Sequence, residues 1–539
     1  MKYNKLNKYS IIIICIFILS GCEDFFSLDE NPTSQLSEEI YWNTEDDAIR
    51  AITACYRPNT WNGWWNDFDG RNIAGVKFEA WTDILSNKEL GSGYPIGGIE
   101  PTNSQIINMW SQNYVVIARS NYFLENIEKV KMDENAKQSL IGEARFLRAY
   151  SYFWLSQLYG DVPLVDKVLN FNEANSVIQS SKSSIVEFAL NDLNFAIETL
   201  PTKRGNSEKG RAEKGAALAL KGRFLMSEGK WGEAASNYET LINLNRYIID
   251  PRFKKLFEDE GDDSNEFIFV RKYIENLQGE PFTQQAMKPG WYGGYSQFSF
   301  MNNFVEMFPM VDGKAIDESP LYDPENPFDN RDPRLYATVL LPDYSSVNGK
   351  LYVGHPDSTG QTGPGLTGYG INKTWDHDFK GDVWNYGSDY ILIRYAEVLL
   401  SYLECKIENG DVITQSILDN TINQLRKRDE VNIGIITETD PNKLREIVRN
   451  ERAIEFSLEG GIRYLDLIRW QESVNKLNRK FYGMKITDDP EGYDGKYILD
   501  NKGHIFIQER IFKEHNYLWP IPQSELDINE NLKQNPGYN

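Results

Sequence analysis

Side chains that could carry out chemistry are sparse and scattered in this 539-residue chain. Its four histidines stand far apart and lack the short spacings of metal ligands, which favours surface or structural roles for them. They are His355, His377, His504 and His515. The sequence contains no nucleophile elbow, zinc motif or phosphate-binding loop. Its motifs therefore do not predict an enzyme.

Carboxylates are so abundant that their number does not indicate a catalytic site. With 79 Asp and Glu residues, some pair suited to glycoside hydrolysis would lie close together by chance. The acidic stretch from Asp323 to Asp332 carries the oxygen ligands that Ca²⁺ prefers, but a solvated acidic loop is the better interpretation. We predict no cofactor, and a structural calcium ion stays an open alternative. The net charge of -22 argues against a nucleic-acid partner.

The thiol of Cys22 has surroundings that predict a defined modification. Three lysines among the first eight residues precede the apolar run Ile11–Leu19, as in a secretory signal. The run is too short to span a bilayer permanently. It ends in Leu19-Ser20-Gly21-Cys22, which resembles a bacterial lipobox, where the cysteine is fatty-acylated and becomes the mature N-terminus. The alternative is a signal peptide cleaved elsewhere, with Cys22 incidental.

Processing at Cys22 would leave a signal peptide at residues 1–21 and a lipidated, flexible tether over residues 22–36. Removal of residues 1–21 takes away three lysines and no acid, so the net charge becomes -25. Cys55 and Cys405 would then be the remaining thiols, too few for a disulfide-stapled fold. A single bridge between these two cysteines is left open.

The elements that would position a site are mainly helical. Apolar residues recur at three- and four-residue spacing over about 103–160, 184–244 and 390–470, which predicts amphipathic helices packed in pairs. Residues 218–241 resemble a tetratricopeptide helical hairpin, with small and aromatic residues at the contact positions. These are Gly222, Gly229, Trp231, Ala234 and Tyr238. The predicted fold class is mostly α, a degenerate α-solenoid with a few short strands.

One helical region, from Arg445 to Trp470, is dense in charge. Glu459 and Arg463 stand four residues apart, and Asp466 and Arg469 stand three apart, which predicts ion pairs along a helix. We interpret this region as a structural ion-pair network between helices. Near the chain end, the alternation at His504–Ile507 predicts a short strand.

Four blocks in chain order resemble the SusD/RagB-type nutrient-binding lipoproteins. They are Gly142–Tyr150 continuing to Tyr159–Val165, then Asp312-Gly313 with Arg331–Leu335, then Asn450–Phe456 with Asp466–Trp470, and finally Leu518–Pro522 with Gln534–Tyr538. The resemblance implies a scaffold of tetratricopeptide-like hairpins with a loop-rich ligand face. It also implies an outer-membrane location and a SusC-like TonB-dependent transporter as partner. The acidic residues Glu23 and Asp24 resemble this family's signal for export to the cell surface.

On this basis we expect one domain over residues 37–539. Its helical scaffold would cover about 103–270 and 385–475, its ligand face about 56–102 and 271–384, and its C-terminal segment 476–539. Long loops of this kind are unusual unless they have a function.

The predicted ligand is a glycan, because the loops combine aromatic planes with polar side chains. A sugar ring presents C–H groups on its face and hydroxyls at its rim, which suits such surroundings. The candidate contacts are Trp81 and Trp291 first, then Trp64, Trp65, Tyr292, Trp375, Arg71 and Asn87. We expect a non-catalytic receptor that passes oligosaccharide to the transporter. The alternatives are a peptide or glycopeptide receptor on the same scaffold and a lipid-anchored glycoside hydrolase.

Overall fold

The computed structural model describes residues 41–56, 78–88, 99–279, 283–355, 366–383 and 385–538. The predicted signal peptide, the lipid site at Cys22 and the tether lie outside these residues. Helices make up most of the regular structure described, which confirms the predicted mostly α class. In chain order they are α1 (Glu45–Cys55), α2 (Ser104–Asn126), α3 (Glu134–Tyr159), α4 (Phe171–Ala174), α5 (Lys182–Thr199), α6 (Lys214–Ser227), α7 (Trp231–Ile242), α8 (Asn302–Met307), α9 (Pro333–Thr338), α10 (Tyr395–Glu408), α11 (Gln415–Asp419), α12 (Ile422–Arg426), α13 (Pro441–Glu455), α14 (Ile462–Arg469), α15 (Ser473–Leu477) and α16 (Gln523–Ile528).

The strands are short and pair antiparallel, two by two. They are β1 (Leu85–Asn87), β2 (Val162–Pro163), β3 (Gln179–Ser180), β4 (Phe267–Arg271), β5 (Phe298–Phe300), β6 (Val339–Leu340), β7 (Ser346–Val347), β8 (Lys350–Leu351), β9 (Gly370–Ile371), β10 (Tyr390–Arg394), β11 (Lys480–Lys485) and β12 (His504–Glu509). The pairs are β1–β5, β2–β3, β4–β10, β6–β9, β7–β8 and β11–β12. The strand predicted at His504–Ile507 is confirmed as the start of β12.

Helical hairpins build the first part of the fold. Helix α3 packs on α2 and α5, and α7 packs on α6 and α10. In the α6–α7 hairpin, Gly229 has a φ of +66° at the turn, a left-handed conformation that glycine adopts without strain. Gly222 lies directly against the ring of Tyr238, so the small residue lets the two helices approach closely. The helical hairpin predicted at residues 218–241 is therefore confirmed.

Two of the hydrophobic cores lie in different parts of the fold, one within the helical part and one under much of the loop-rich part. The larger one runs through α2, α3, α5, α6, α7 and α10. A second core collects Phe298, Phe300, Phe304, Phe308 and Trp375 under the loop-rich segments. This second core packs the described residues of 283–355 and 366–375 against other segments, although their sequence shows little periodicity.

A buried ion network joins the two parts around Glu455, the last residue of α13. Its carboxylate accepts hydrogen bonds from Arg394 at 2.8 Å, Arg428 at 3.0 Å and Arg334 at 2.8 Å. Arg334 belongs to α9 and Arg394 to β10, so one carboxylate connects three separate elements. The predicted structural ion-pair network is confirmed, and it includes a strand residue as well as helical residues.

The predicted pair of Glu459 with Arg463 is wrong. Helix α13 ends at Glu455, and Leu458, Gly460 and Gly461 all have positive φ, so Glu459 and Arg463 do not share one helix. Glu459 instead accepts hydrogen bonds from Lys373 and Arg394, while Arg463 makes a two-pronged ion pair with Asp83 at 2.8 and 3.0 Å. The second predicted pair, Asp466 with Arg469, is confirmed at 2.8 Å.

Cys55 and Cys405 are both buried and free, so no bridge joins them. Burial raises the pKa of the Cys55 thiol to about 12, which keeps it protonated and unreactive. Over the described residues, no helix combines the length and the apolar character needed to cross a membrane.

Candidate functional site

Only some of the predicted ligand contacts lie within the described residues. Trp64, Trp65 and Arg71 lie outside the described residues. Trp291 belongs to a short 3₁₀ turn, Gly290–Tyr292, and its side chain is also outside the described part. Trp81, Asn87, Tyr292 and Trp375 are described, and the structure gives them different environments.

Trp81 lies in the protein core. Its side chain is 5% exposed, and its ring packs against Phe78, Tyr464 and Trp519 with centroid distances of 5.9, 5.7 and 5.0 Å. The prediction of an exposed ring at Trp81 is wrong, because tertiary packing closes over it. Asn87 is likewise buried, in β1 opposite Phe298, so it does not offer an exposed amide.

Tyr292 and Trp375 lie together although 82 positions separate them in the sequence. Their ring centroids are 5.9 Å apart and their planes are inclined by 32°. Trp375 is 1% exposed, and its Nε1 donates to the Ile371 carbonyl at 2.6 Å, while Tyr292 is half-buried. Tyr292 therefore presents the surface ring, and Trp375 supports it from below. The prediction of Trp375 as an exposed contact is wrong for that reason.

Glycine and serine geometry fixes the loop that carries Tyr292. Gly293 has a φ of +90°, and a Cβ on Gly294 would lie 2.0 Å from the Lys288 carbonyl oxygen, so only glycine fits there. Ser296 closes the loop, because its Oγ accepts from the Gly290 N–H at 2.9 Å and its own N–H donates to the Lys288 carbonyl at 3.1 Å. The exposed Tyr295, at 54%, projects from this closed loop.

The hairpin β7–β8 forms the neighbouring wall. Its two-residue tip is Asn348-Gly349, with φ of +50° and +75°, the positive angles that a type I′ turn requires. The Tyr292 hydroxyl donates to the Lys350 carbonyl at 3.4 Å, and the Asn348 side chain donates to the His377 carbonyl at 3.0 Å. The loop, the hairpin and the Trp375–His377 segment thus form one connected surface.

Polar groups border this surface at Lys288 and His377. The Lys288 ammonium lies 5.7 Å from the Trp375 ring centroid, and burial, together with the nearby Lys380, lowers its pKa. Burial and then the charge of Lys254 lower the pKa of His377 to about 4, so its imidazole is neutral at pH 7. His377 Nε2 lies 2.6 Å from the Asn372 Oδ1. Because that oxygen only accepts, Nε2 carries the hydrogen and Nδ1 can accept one.

We call Tyr292, Tyr295, Trp375, Lys288 and His377 the aromatic ledge. It offers one supported tyrosine face, one exposed tyrosine, a cation and a neutral imidazole. Sequence reasoning treated His377 as structural and did not select Lys288, because a local pattern does not show which loops meet. Spacing alone gave no signal for either residue.

A separate polar cavity of about 230 Å³ lies beside β4, lined by charges of both signs. At its wall the Lys272 ammonium contacts Asp389 at 2.5 Å and Asp262 at 3.8 Å. Burial, and then the charge of Asp389, raise the pKa of Asp262 to about 7, while burial raises that of Asp389 to about 6. The carboxylates share one lysine, which fits a structural ion cluster.

Metal ligation has little support in the part of the chain that the structure describes. No group of three or more His, Cys, Asp or Glu side chains there has a metal-binding arrangement. In the acidic stretch that begins at Asp323, this carboxylate accepts instead from the Glu325 N–H at 3.0 Å and the Asn326 amide at 2.9 Å.

Helical hairpins joined to a loop-built aromatic ledge define an α-helical scaffold protein. Residues 248–538 match the SusD family, and residues 25–226 match a family described as starch-binding associating with outer membrane. The first match spans more than half of the chain, and this protein belongs to the SusD family.

Curated relatives match most of the chain. SusD-like protein P2 of Formosa agariphila is 24% identical over 569 residues, covering 99% of this chain and all of the relative. The starch-binding protein SusD of Bacteroides thetaiotaomicron is 25% identical over 464 residues, covering 78% of this chain and 76% of the relative.

Solved structures agree with the fold. A SusD-like carbohydrate-binding protein from Bacteroides fragilis superposes with a TM-score of 0.85 at 33% identity, covering 92% of this chain and 100% of that one. Surface glycan-binding protein A of Bacteroides thetaiotaomicron, in complex with laminarihexaose, has a TM-score of 0.68 at 21% identity, covering 91% and 99%. The second likeness is one of fold.

Proposed function

We propose that this protein is a non-catalytic, cell-surface lipoprotein that captures an oligosaccharide and delivers it to a SusC-like TonB-dependent transporter. The observation that carries the proposal is the half-buried Tyr292 ring, held by the buried Trp375 and bordered by Lys288 and His377. A sugar would stack its C–H face on Tyr292 and direct hydroxyls to the polar border.

The relatives support a glycan as the ligand. The Bacteroides fragilis structure at 33% identity is that of a carbohydrate-binding protein, and SusD of Bacteroides thetaiotaomicron is a starch-binding protein. Binding without turnover is supported by the absence of catalytic motifs from the sequence. In this proposal the lipid on Cys22, followed by Glu23 and Asp24, holds the protein at the outer face of the outer membrane.

The ledge is tested with the soluble protein that begins after Cys22. Native gels are cast with laminarin, amylopectin, xyloglucan, arabinoxylan or pectin, and retardation of the protein reports binding. We expect at least one polysaccharide to retard the wild type and Tyr292→Ala to reduce its affinity about 10- to 100-fold, equivalent to about 1–3 kcal/mol. Tyr402→Ala, which removes a half-buried tyrosine of α10, is the matched control and should bind normally.

Three outcomes would contradict parts of the proposal. Retardation by none of the polysaccharides, with binding of a peptide library, would replace the glycan by a peptide. Release of reducing sugar by the purified protein would overturn the non-catalytic role. Normal binding by Tyr292→Ala would remove the ledge as the site. Delivery is tested separately, by co-purification of a TonB-dependent transporter with the full-length lipoprotein and its loss in Cys22→Ala.

A further inference from the structure

A second pair of aromatic rings, Tyr336 and Tyr344, lies at the base of the hairpin whose tip borders the ledge. The two rings are stacked, with centroids 5.5 Å apart and planes inclined by 18°. Tyr344 is nevertheless 44% exposed. Because Tyr336 covers one face of the Tyr344 ring, the exposed area belongs mainly to the opposite face and its edges. Tyr344 thus offers a supported ring with one open face.

The support beneath Tyr344 is fixed by hydrogen bonds. The Tyr336 hydroxyl donates to the Phe328 carbonyl at 2.6 Å and accepts from the Arg331 N–H at 3.2 Å. The Phe328 ring meets Tyr344 nearly edge-on, at 5.8 Å and 69°. A ring held in place before binding loses little conformational freedom when a ligand stacks on it.

Polar groups stand at the rim of this second platform. Burial raises the pKa of Tyr344, hydrogen bonding with Tyr336 raises it further, and so does the carboxylate of Asp329. The Tyr344 hydroxyl therefore stays protonated, beside an exposed carboxylate that can accept hydrogen bonds. An open ring face with acceptors at its edge has the pattern expected for a sugar, whose face is apolar and whose rim donates.

The hairpin β7–β8 connects this platform to the ledge. At its base the Tyr352 N–H donates to the Ser345 carbonyl at 2.8 Å. Near its tip the Lys350 carbonyl accepts from the Tyr292 hydroxyl, and Lys350 pairs with Val347 across the hairpin. Tyr344 stands three residues before Val347, so the backbones of these two residues lie at most about 10 Å apart. The two platforms are therefore close enough along the hairpin for one oligosaccharide of several rings to contact both.

We propose that Tyr344, stacked on Tyr336, is a second stacking subsite for the same glycan chain that binds at the aromatic ledge. The ligand class is then an extended oligosaccharide that follows the hairpin, and not a mono- or disaccharide. This inference rests on the proposed glycan-binding function and assigns it a second contact.

The test uses the same gels with laminarin, amylopectin, xyloglucan, arabinoxylan and pectin, followed by calorimetry. Oligosaccharides of two to eight units are prepared from the polysaccharide that retards the wild type. We expect wild-type affinity to rise with length and Tyr344→Ala to lose about tenfold for the longest fragments while binding the shortest normally. Tyr344→Phe keeps the ring and should retain most of the affinity. A thermal melt of each variant confirms that it is folded.

Failure of this inference differs from failure of the proposed function. If Tyr344→Ala matches the wild type at every fragment length, the second subsite is overturned and glycan binding stands. If Tyr344→Ala weakens short and long fragments equally, the proposal of a length-dependent contact is overturned. If none of the five polysaccharides retards the wild type, both proposals fall.

Discussion

A Cβ atom on Gly222 would lie 2.3 Å from Cζ of Tyr238, so the α6–α7 contact has no room for a side chain at this glycine. Tyr238 is 1% exposed, so neighbouring atoms enclose its ring. We expect Gly222→Ala to lower the free energy of unfolding by about 1–3 kcal/mol through overpacking. Urea denaturation followed by circular dichroism measures the change.

Gly205 provides the matched control for this substitution. It has a φ of -70°, and a Cβ there would meet no atom within 4 Å. Gly205→Ala should leave stability within about 0.5 kcal/mol of the wild type. Equal stability of the Gly222 and Gly205 variants would contradict the close-contact interpretation.

The network around Glu455 predicts a large loss from a small change. Glu455→Gln removes one charge and leaves Arg334, Arg394 and Arg428 buried without their shared partner, which should cost about 3–5 kcal/mol. Glu446→Gln, at a carboxylate 67% exposed, is the control and should change stability by less than about 1 kcal/mol. Denaturant midpoints at pH 7 compare the two variants.

The loss of stability caused by Glu455→Gln has a defined pH dependence. Burial raises the pKa of Glu455, but the charges of Arg428, Arg394 and Arg334 lower it by more than burial raises it. The folded pKa of Glu455 therefore lies below the ordinary 4.5. A lowered folded pKa means that the stabilisation is fully present above about pH 4.5 and disappears as the pH falls through the folded pKa. The difference between wild type and Glu455→Gln should therefore stay constant from pH 5 to 7 and shrink only in stronger acid. A difference that shrinks between pH 7 and 5 would contradict this assignment.

The ionisation of Asp262 should change stability with pH in the opposite direction to that of Glu455. Its folded pKa is raised from 3.8 to about 7, so the folded state binds more protons than the unfolded state between these values. Stability then falls as the pH rises from about 4 to 7. In the wild type the Asp389 N–H donates to the Asp262 carboxylate at 2.9 Å. Asp262→Asn keeps an oxygen that can accept this hydrogen bond and removes the negative charge. We expect it to stabilise the protein by about 1–2 kcal/mol at pH 7.5 and by nothing at pH 4.

Thermal unfolding of Asp262→Asn across this pH range tests the expectation. Asp263→Asn is the control, because Asp263 is 82% exposed and pairs with Lys209 at the surface. Its substitution should change stability little at either pH. Destabilisation by Asp262→Asn at pH 7.5 would show that the ionised carboxylate is favourable there.

Trp81→Ala should act on stability and leave the ledge intact. Removing a ring enclosed by Phe78, Tyr464 and Trp519 should cost about 3–5 kcal/mol. Glycan affinity, measured at a temperature where the variant is folded, should match the wild type. The exposed Tyr295 gives the contrasting case, since Tyr295→Ala should leave the melting temperature unchanged. Loss of binding by a fully stable Trp81→Ala variant would restore Trp81 as a direct contact.

The sequence predicted the helical scaffold because its signals are local. The glycines and aromatics of residues 218–241 stand at fixed spacing within one hairpin, and the structure confirms that hairpin. The prediction failed where distant segments decide the outcome. Trp81 and Trp375 both stand in loop-like sequence, and each is buried by residues far away in the chain. Composition does not distinguish a ring on a loop surface from a ring beneath that loop.

The ion pairs also show that local spacing predicts contacts within one helix and fails where the chain turns. Asp466 and Arg469 lie within one short helix, and their spacing predicted the contact correctly. Glu459 and Arg463 have equally good helical spacing, but Gly460 and Gly461 turn the chain between them. Two adjacent glycines were the signal that could have prevented the error.

The cluster of Trp81 with Trp519 has a consequence for how the protein reaches its working state. The two rings are 5.0 Å apart but lie far apart in the sequence, so the contact forms only after almost all of the chain has been synthesised. Contacts of such long sequence separation form slowly. We expect a chain truncated before Trp519 to leave Phe78 and Trp81 uncovered and to be cut by proteases faster than the full-length protein.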